Sequence, residues 1–143
     1  MQSQSVRITW HFPASPEKVW AAWTQPELVS RWFGSNPEGT VSNATLDVRP
    51  AGRFGVTFVD ADGTEHTASG VYQQVELHRQ LRFTWSWKSE PGVETQVSVV
   101  LSPEPTGTRM DFEHAGHTRA SSHDYDSGWR STFRKMEKAI ESR

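Results

Sequence analysis

Residues 14–34, "ASPEKVWAAWTQPELVSRWFG", contain the signals for two short helices and three of the chain's seven tryptophans. Ser15 is a candidate N-cap, and Pro16 suits the first helical position because its missing N–H would be unpaired there anyway. Pro26 restarts the helical pattern, and Gly34 provides a stop after it. The stretch therefore predicts two consecutive helices of about two turns each.

Trp20, Trp23 and Trp32 explain how such short helices could be stable. A helix of about two turns is unstable alone in water, so it needs large apolar contacts with the rest of the fold. Tryptophan offers one of the largest apolar surfaces of any side chain. We expect these tryptophans to supply the anchors.

Most of the remaining chain alternates apolar and polar residues, as half-buried strands do. In "LRFTWSW", for example, Leu81, Phe83 and Trp85 share one face. Loops rich in turn residues separate the segments, as "DADG", "SEPG" and "SPEPTG" do. Short loops between successive strands favour an antiparallel sheet. Seven strands are predicted, at residues 6–12, 41–48, 52–59, 65–77, 81–87, 93–101 and 108–114, with 102–107 excluded by its prolines.

A long helix is predicted to begin at Ser121 or Ser122, with Asp124 and Asp126 in its first turn, where negative charge is favourable. Of the three helices, this one alone is long enough to cover a face of the sheet. The order is then a strand, two short helices, six strands and a long helix, which is an α+β fold. The helix's apolar stripe consists of Tyr125, Trp129, Phe133, Met136 and Ile140.

Composition limits the class of protein. The 143 residues fit one domain, spanning 1–143, and the formal charge of −2 is not the signature of a nucleic-acid-binding protein. Without cysteine there is no disulfide or thiol chemistry. No apolar run approaches the roughly 18 residues of a membrane span, and the N-terminus lacks the apolar core of a signal peptide. We therefore expect a cytoplasmic protein that does not enter membranes.

Four segments carry a resemblance to a known family: residues 14–34, "DVRPAGRF" at 47–54, "GVYQQVELHRQLRFTWSW" at 70–87 and "GWRSTFRKMEKAI" at 128–140. They resemble the START-like (Bet v 1-like, SRPBCC) superfamily, in particular the group related to the C-terminal domain of the activator of Hsp90 ATPase. The resemblance implies a helix-grip fold, in which a curved seven-stranded antiparallel sheet wraps around the C-terminal helix. Where this chain has Ala51-Gly52, the family usually has two glycines, so we expect a stiffer turn.

The resemblance also implies an apolar cavity between the sheet and the long helix, roofed by the two short helices. It further implies that Trp20 and Trp23 attach the short helices to the sheet and that Trp32 closes one end of the cavity. The gap between a curved sheet and a straight helix can equally be filled by aromatic side chains, and the sequence leaves both possibilities open. The candidate ligand-binding residues face this gap: Trp32, Phe54, Phe58, Tyr72, Trp85, Trp87, Val97, Val99, Phe112, His114, Trp129 and Phe133.

Catalytic and metal-binding patterns are weak. No nucleophile motif or phosphate-binding loop is present, and His114, Tyr72 and Tyr125 are the only acid–base candidates on the inward face. His117, His123 and Asp124 lie near His114 in sequence but fall on different predicted elements. We predict no catalytic residues, no metal and no cofactor, with His114 hydrogen-bonded in the interior or lining the pocket.

Together with the resemblance, the sequence favours non-catalytic binding of a small hydrophobic or aromatic molecule in the cavity between the sheet and the C-terminal helix. One alternative, implied by the resemblance, is a co-chaperone or stress-response interaction protein that contacts a chaperone or another protein. The basic end of the long helix, with Arg134, Lys135 and Lys138, would suit an acidic partner. The other alternative is an enzyme acting on a bound polycyclic or lipid-like substrate. The sequence is equally compatible with a monomer and with a homodimer.

Overall fold

Seven antiparallel strands form one curved sheet in the order β1-β7-β6-β5-β4-β3-β2. The structure is a computed structural model that describes residues 4–34, 39–90, 92–117 and 125–141. The predicted order of elements is confirmed. The strands are β1 (Gln4–Phe12), β2 (Thr40–Leu46), β3 (Arg53–Val59), β4 (Glu65–Glu76), β5 (Gln80–Trp87), β6 (Thr95–Glu104) and β7 (Gly107–His117), and the helices are α1 (Pro16–Thr24), α2 (Pro26–Trp32) and α3 (Tyr125–Glu141).

The start of α1 follows the local chemistry of its first residues. Ser15 has an extended backbone, and its hydroxyl accepts a hydrogen bond from the Lys18 backbone N–H at 3.4 Å. Gln25 ends α1 and begins α2, so the two helices share one residue as their junction. After α2, Gly34 adopts a φ of +105°, and a Cβ there would lie 2.8 Å from the ring of Phe58. Gly34 is therefore required both by its backbone conformation and by its close packing.

Strand β6 extends further than its prolines suggested. The prediction that residues 102–107 form only a loop is wrong, because β6 continues to Glu104 and pairs with β7 as far as Gly107. The β5–β6 ladder ends at Val100, so Pro103 lies where β6 has a neighbour on one side alone. A proline is tolerated there because its missing N–H is not needed on the unpaired side.

Helix α3 packs its apolar stripe against the concave face of the sheet. Trp129, Phe133, Met136 and Ile140 are buried, as the spacing predicts. The predicted start at Ser121 or Ser122, with Asp124, lies outside the described residues, as do the side chains of Tyr125 and Asp126. Within the described ranges, no helix combines the length and apolarity needed to cross a membrane.

The turn before β3 is tied to the middle of the sheet. The Ala51 N–H donates to the Tyr72 carbonyl at 2.8 Å, and the Tyr72 N–H donates to the Gly52 carbonyl at 2.9 Å. Ala51 adopts a φ of +69°, a left-handed conformation that costs an L-residue about 1–2 kcal/mol. The turn is therefore strained at the position where the resembled family usually has glycine.

Candidate ligand site

The twelve candidate ligand-binding residues all belong to the interior that α3 and the sheet enclose. Trp87 is half-buried, and the other eleven are buried. All but His114 belong to or pack against one continuous apolar core, and His114 is a buried polar residue. Alternation along the strands therefore identified the inward face, but the fold divides that face into two regions with different packing.

The first region, beneath α3, is filled by aromatic rings. The ring centroid of Trp129 lies 4.6 Å from that of Phe112 and 5.2 Å from that of Trp85. Phe112 and Phe133 pack edge to face, with centroids 5.0 Å apart. Such distances are those of aromatic pairs in direct contact. Side chains thus occupy the space that the resemblance associates with a cavity.

The second region is a small apolar cavity between the two short helices and strands β2 to β5. Its volume is about 20 Å³, enough for about one water molecule. Three of its residues, Trp32, Phe54 and Tyr72, belong to the predicted set. The full lining is Trp23, Val29, Trp32, Phe33, Leu46, Phe54, Val56, Tyr72 and Phe83.

Six lining residues are absent from the predicted set. Phe83 and Val56 each share a strand face with predicted residues, so alternation alone could have included them. Val29, Phe33 and Leu46 depend on how α2 lies across β2 and β3, which no local pattern specifies. Trp23 was expected to anchor α1 on the sheet, and besides doing so it forms part of the cavity wall.

Trp23 lies where the cavity meets the filled region. Its ring packs edge to face on Trp32 at 5.1 Å and stacks with Phe112 at 6.3 Å. Trp23 is 5% exposed, and its Nε1 has no hydrogen-bond partner among the described residues. The Nε1 of Trp32, by contrast, donates to the Ala22 carbonyl at 2.8 Å. Trp23, a residue of the cavity wall, therefore carries a donor that has no acceptor among the described residues.

Tyr72 is the second polar side chain in the wall. It is 4% exposed, and burial, with a further contribution from the negative charge of Asp47, raises the pKa of its hydroxyl. Asp47 itself is exposed and forms an ion pair with Arg49 at 2.9 Å. The hydroxyl therefore stays protonated at neutral pH and can donate a hydrogen bond.

His114 belongs to the filled region rather than to the cavity. Its Nδ1 lies 3.0 Å from Nε1 of Trp129, and its Nε2 lies 2.6 Å from Oγ1 of Thr95. The Thr95 hydroxyl also lies 3.3 Å from the Trp85 carbonyl, to which it donates. The expectation that His114 is hydrogen-bonded in the interior is confirmed.

No group of three or more potential metal ligands occurs within the described ranges. Both ring nitrogens of His114 are already engaged in hydrogen bonds. The side chain of His117, and all of His123 and Asp124, lie outside the part of the chain that the structure describes. The absence of a metal site therefore stays a prediction.

A polar cluster closes the interior where β3 ends and β4 begins. The Lys135 ammonium donates to the Gly34 carbonyl at 3.1 Å, which connects α3 to the end of α2. His66 pairs with Asp60 at 2.8 Å, and its ring stacks on Phe58. Burial lowers the pKa of Lys135, whereas the charge of Asp60 acts in the opposite direction. These contacts hold α2 in place over the cavity.

Residues 13–141 match the family described as activator of Hsp90 ATPase homolog 1-like protein. A search of curated proteins gave no match.

Solved structures with the same fold come from several bacteria. A protein from Chromobacterium violaceum has a TM-score of 0.85 and 21% identity, with 96% of each chain covered. An AHSA1-like protein from Aeromonas hydrophila has a TM-score of 0.84 and 22% identity, covering 97% of this chain and 93% of that one. CalU16 from Micromonospora echinospora has a TM-score of 0.72 and 26% identity, covering 96% of this chain and 76% of that one. These similarities establish the helix-grip architecture across nearly the whole chain.

Proposed function

The chain belongs to the family of activator of Hsp90 ATPase homolog 1-like proteins, and we propose that it binds a small apolar or aromatic molecule without catalysis, at the cavity between the short helices and β2 to β5. The observation that carries this proposal is the composition of the wall, which consists of aromatic and aliphatic side chains and, among the described residues, carries side-chain polar atoms on Trp23, Trp32 and Tyr72 alone. Small-molecule sites typically combine such a wall with a few polar groups that orient the ligand.

A molecule larger than water requires the wall to move, because the cavity holds only about 20 Å³. Strand β2 is the part of the wall best suited to this movement. It is an edge strand whose residues are exposed or half-buried. Elements with few buried contacts open at a lower free-energy cost than core strands do. We therefore expect the ligand to enter beside Leu46 while α2 and the rings beneath α3 stay in place.

The hydrogen bonds of His114 support binding over catalysis. A general acid or base must present a free ring nitrogen to its substrate. Both nitrogens of His114 are directed at Thr95 and Trp129, and His114 does not line the cavity. Tyr72, the other described acid–base candidate, has a raised pKa, which makes its hydroxyl a poor base at neutral pH.

A protein-interaction role is the second candidate. The aromatic filling beneath α3 favours it, because a filled interior leaves the outer surface for recognition. Arg134 and Lys138 are exposed on α3 and would attract an acidic partner. Weakening of binding to a chaperone by Arg134→Glu with Lys138→Glu, with unchanged stability, would support this role.

We further propose that the chain works as a single domain in the cytoplasm, as a monomer or a homodimer. Sedimentation velocity at micromolar concentration would distinguish the two states.

The binding proposal is tested with N-phenyl-1-naphthylamine, a neutral apolar dye whose fluorescence rises on transfer from water. We expect wild-type protein to raise the fluorescence. Val56→Ile adds one methylene to the cavity wall and should weaken binding roughly tenfold, while changing stability little, since the methylene enters existing space. Val99→Ile is the matched control, because Val99 is equally buried but does not line the cavity. It should leave dye binding unchanged. No fluorescence rise with wild type would refute the proposal.

A further inference from the structure

We infer that the indole N–H of Trp23 is the polar anchor of this site, and that the ligand is a neutral apolar molecule that carries a hydrogen-bond acceptor such as a carbonyl or ether oxygen. The inference rests on the proposed function, since it concerns the chemistry of the molecule in the same cavity.

The Trp23 donor differs from the donors of three other indoles. Trp10, Trp32 and Trp129 each donate to an oxygen or nitrogen of the protein, at distances of 2.8 to 3.2 Å. The Nε1 of Trp23 has no such acceptor among the described residues, and Trp23 lines the cavity. An indole N–H can only donate, and a buried donor without an acceptor is unfavourable. A ligand that supplies the acceptor therefore gains an interaction that a pure hydrocarbon does not.

The neighbouring ring does not replace this acceptor. Trp32 packs against Trp23 at 73° and 5.1 Å, so the two rings meet edge to face. An N–H directed at a ring is a weaker interaction than an N–H directed at a carbonyl oxygen. The Trp23 N–H should therefore bind an oxygen brought into the cavity in preference to the Trp32 ring.

The electrostatics of the wall select a neutral acceptor rather than an anion. The remaining lining is hydrocarbon apart from the Trp32 indole, which is already paired, and the Tyr72 hydroxyl. The described residues of the lining include no cationic side chain. A carboxylate would therefore lose its hydration without gaining a partner charge, whereas a ketone or ether oxygen avoids most of this cost.

The test uses titration calorimetry to compare the affinities of 1-indanone and indane. The two compounds differ in that 1-indanone has a carbonyl where indane has a methylene. Wild-type protein should bind 1-indanone about tenfold more tightly than indane, the size of one hydrogen bond made in a buried site. Trp23→Phe should reduce the preference, measured as the ratio of the two affinities in the same variant, to within about twofold. Trp85→Phe is the matched control, because Trp85 is also buried with an unpartnered Nε1 but does not line the cavity. It should retain the preference.

A second measurement uses wild-type protein, in case a variant fails to fold. The indole ¹H–¹⁵N resonance of Trp23 should move downfield on addition of 1-indanone and stay in place with indane. Equal binding of the two compounds by wild type would overturn the Trp23 anchor and leave the proposed function standing. Binding of neither compound would overturn both.

Discussion

Nε1 of Trp129 on α3 lies 3.0 Å from Nδ1 of His114 on β7 and donates a hydrogen bond to it. An indole nitrogen carries a hydrogen and cannot accept, so Nδ1 must be the acceptor, and the imidazole proton lies on Nε2, facing Thr95. The long helix is therefore joined to the sheet by a directional polar contact as well as by apolar packing.

The first prediction concerns this contact. Trp129→Phe should lower the free energy of unfolding by about 2–3 kcal/mol, because it shortens a buried ring and leaves Nδ1 of His114 without its donor. Trp129→Ala should cost roughly 3–5 kcal/mol. Trp85→Phe removes the same atoms from an indole whose N–H has no partner among the described residues, so it should cost about 1–2 kcal/mol less than Trp129→Phe. Urea denaturation measures all three, and equal costs for the two phenylalanine variants would contradict the role of the hydrogen bond.

The second prediction concerns the strained turn at Ala51. Ala51→Gly should stabilise the protein by about 0.5–1 kcal/mol, since glycine adopts a positive φ freely but loses more backbone entropy on folding. The neighbouring change, Gly52→Ala, should destabilise strongly, because its Cβ would lie 2.0 Å from the Asp47 carbonyl oxygen. Thermal unfolding compares the two variants. A lower melting temperature for Ala51→Gly would show that the turn is not strained.

The third prediction concerns alkaline pH. Burial raises the pKa of Tyr72 in the folded state above its usual value of 10.0. The unfolded chain then loses the tyrosine proton first, so the contribution of Tyr72 to stability is present below about pH 10 and is lost as the pH rises above it. Lys135, whose folded pKa is lowered, acts in the opposite direction, because the unfolded chain holds that proton longer.

Comparing wild type with Tyr72→Phe isolates the tyrosine contribution, because Lys135 is common to both. The stability difference should be constant from pH 7 to 9 and should then shift in favour of the variant by up to about 1.4 kcal/mol per pH unit above pH 10. Chemical denaturation at each pH measures it. Parallel stability curves for the two proteins up to pH 11.5 would mean that Tyr72 titrates normally in the fold.

The fourth prediction distinguishes filled from open space beneath α3. Val97 is fully buried and pairs with Phe83 on one side and His114 on the other. Val97→Phe should cost roughly 1–3 kcal/mol, because the added ring meets side chains that are already packed. Val100→Phe, on the opposite face of the same strand, should change stability by less than about 0.5 kcal/mol. Wild-type stability in Val97→Phe, together with loss of dye binding, would instead place the ligand beneath α3.

Elements whose signals are local could be predicted from the sequence. The cap at Ser15 and the alternation through Leu81, Phe83 and Trp85 are set by neighbouring residues, and the structure has them as predicted. Strand β6 is longer than predicted. The free-energy cost of Pro103 depends on whether a strand pairs with that side of β6, which is a property of the whole sheet.

The candidate site was less predictable, because it depends on how separate elements pack. Residues such as Phe33 and Leu46 meet only after α2 docks on β2. Phe112 and Trp129 face the same interior as Tyr72, yet their rings fill the space near them while a small gap remains beside Tyr72. The shapes of many side chains together decide which inward residues border unfilled volume.

The pairing of β1 with β7 has a consequence for synthesis of the chain on the ribosome. Ile8 pairs with Phe112, so the first strand emerges about a hundred residues before its partner. At typical elongation rates of about 5–20 residues per second, β1 waits for roughly 5–20 s without a neighbour. During that time its exposed alternate residues, Arg7, Thr9 and His11, give the strand one polar face. Polar and charged side chains on an unpaired strand oppose edge-to-edge association, so the outward face of β1 protects the nascent chain before it supports the finished sheet.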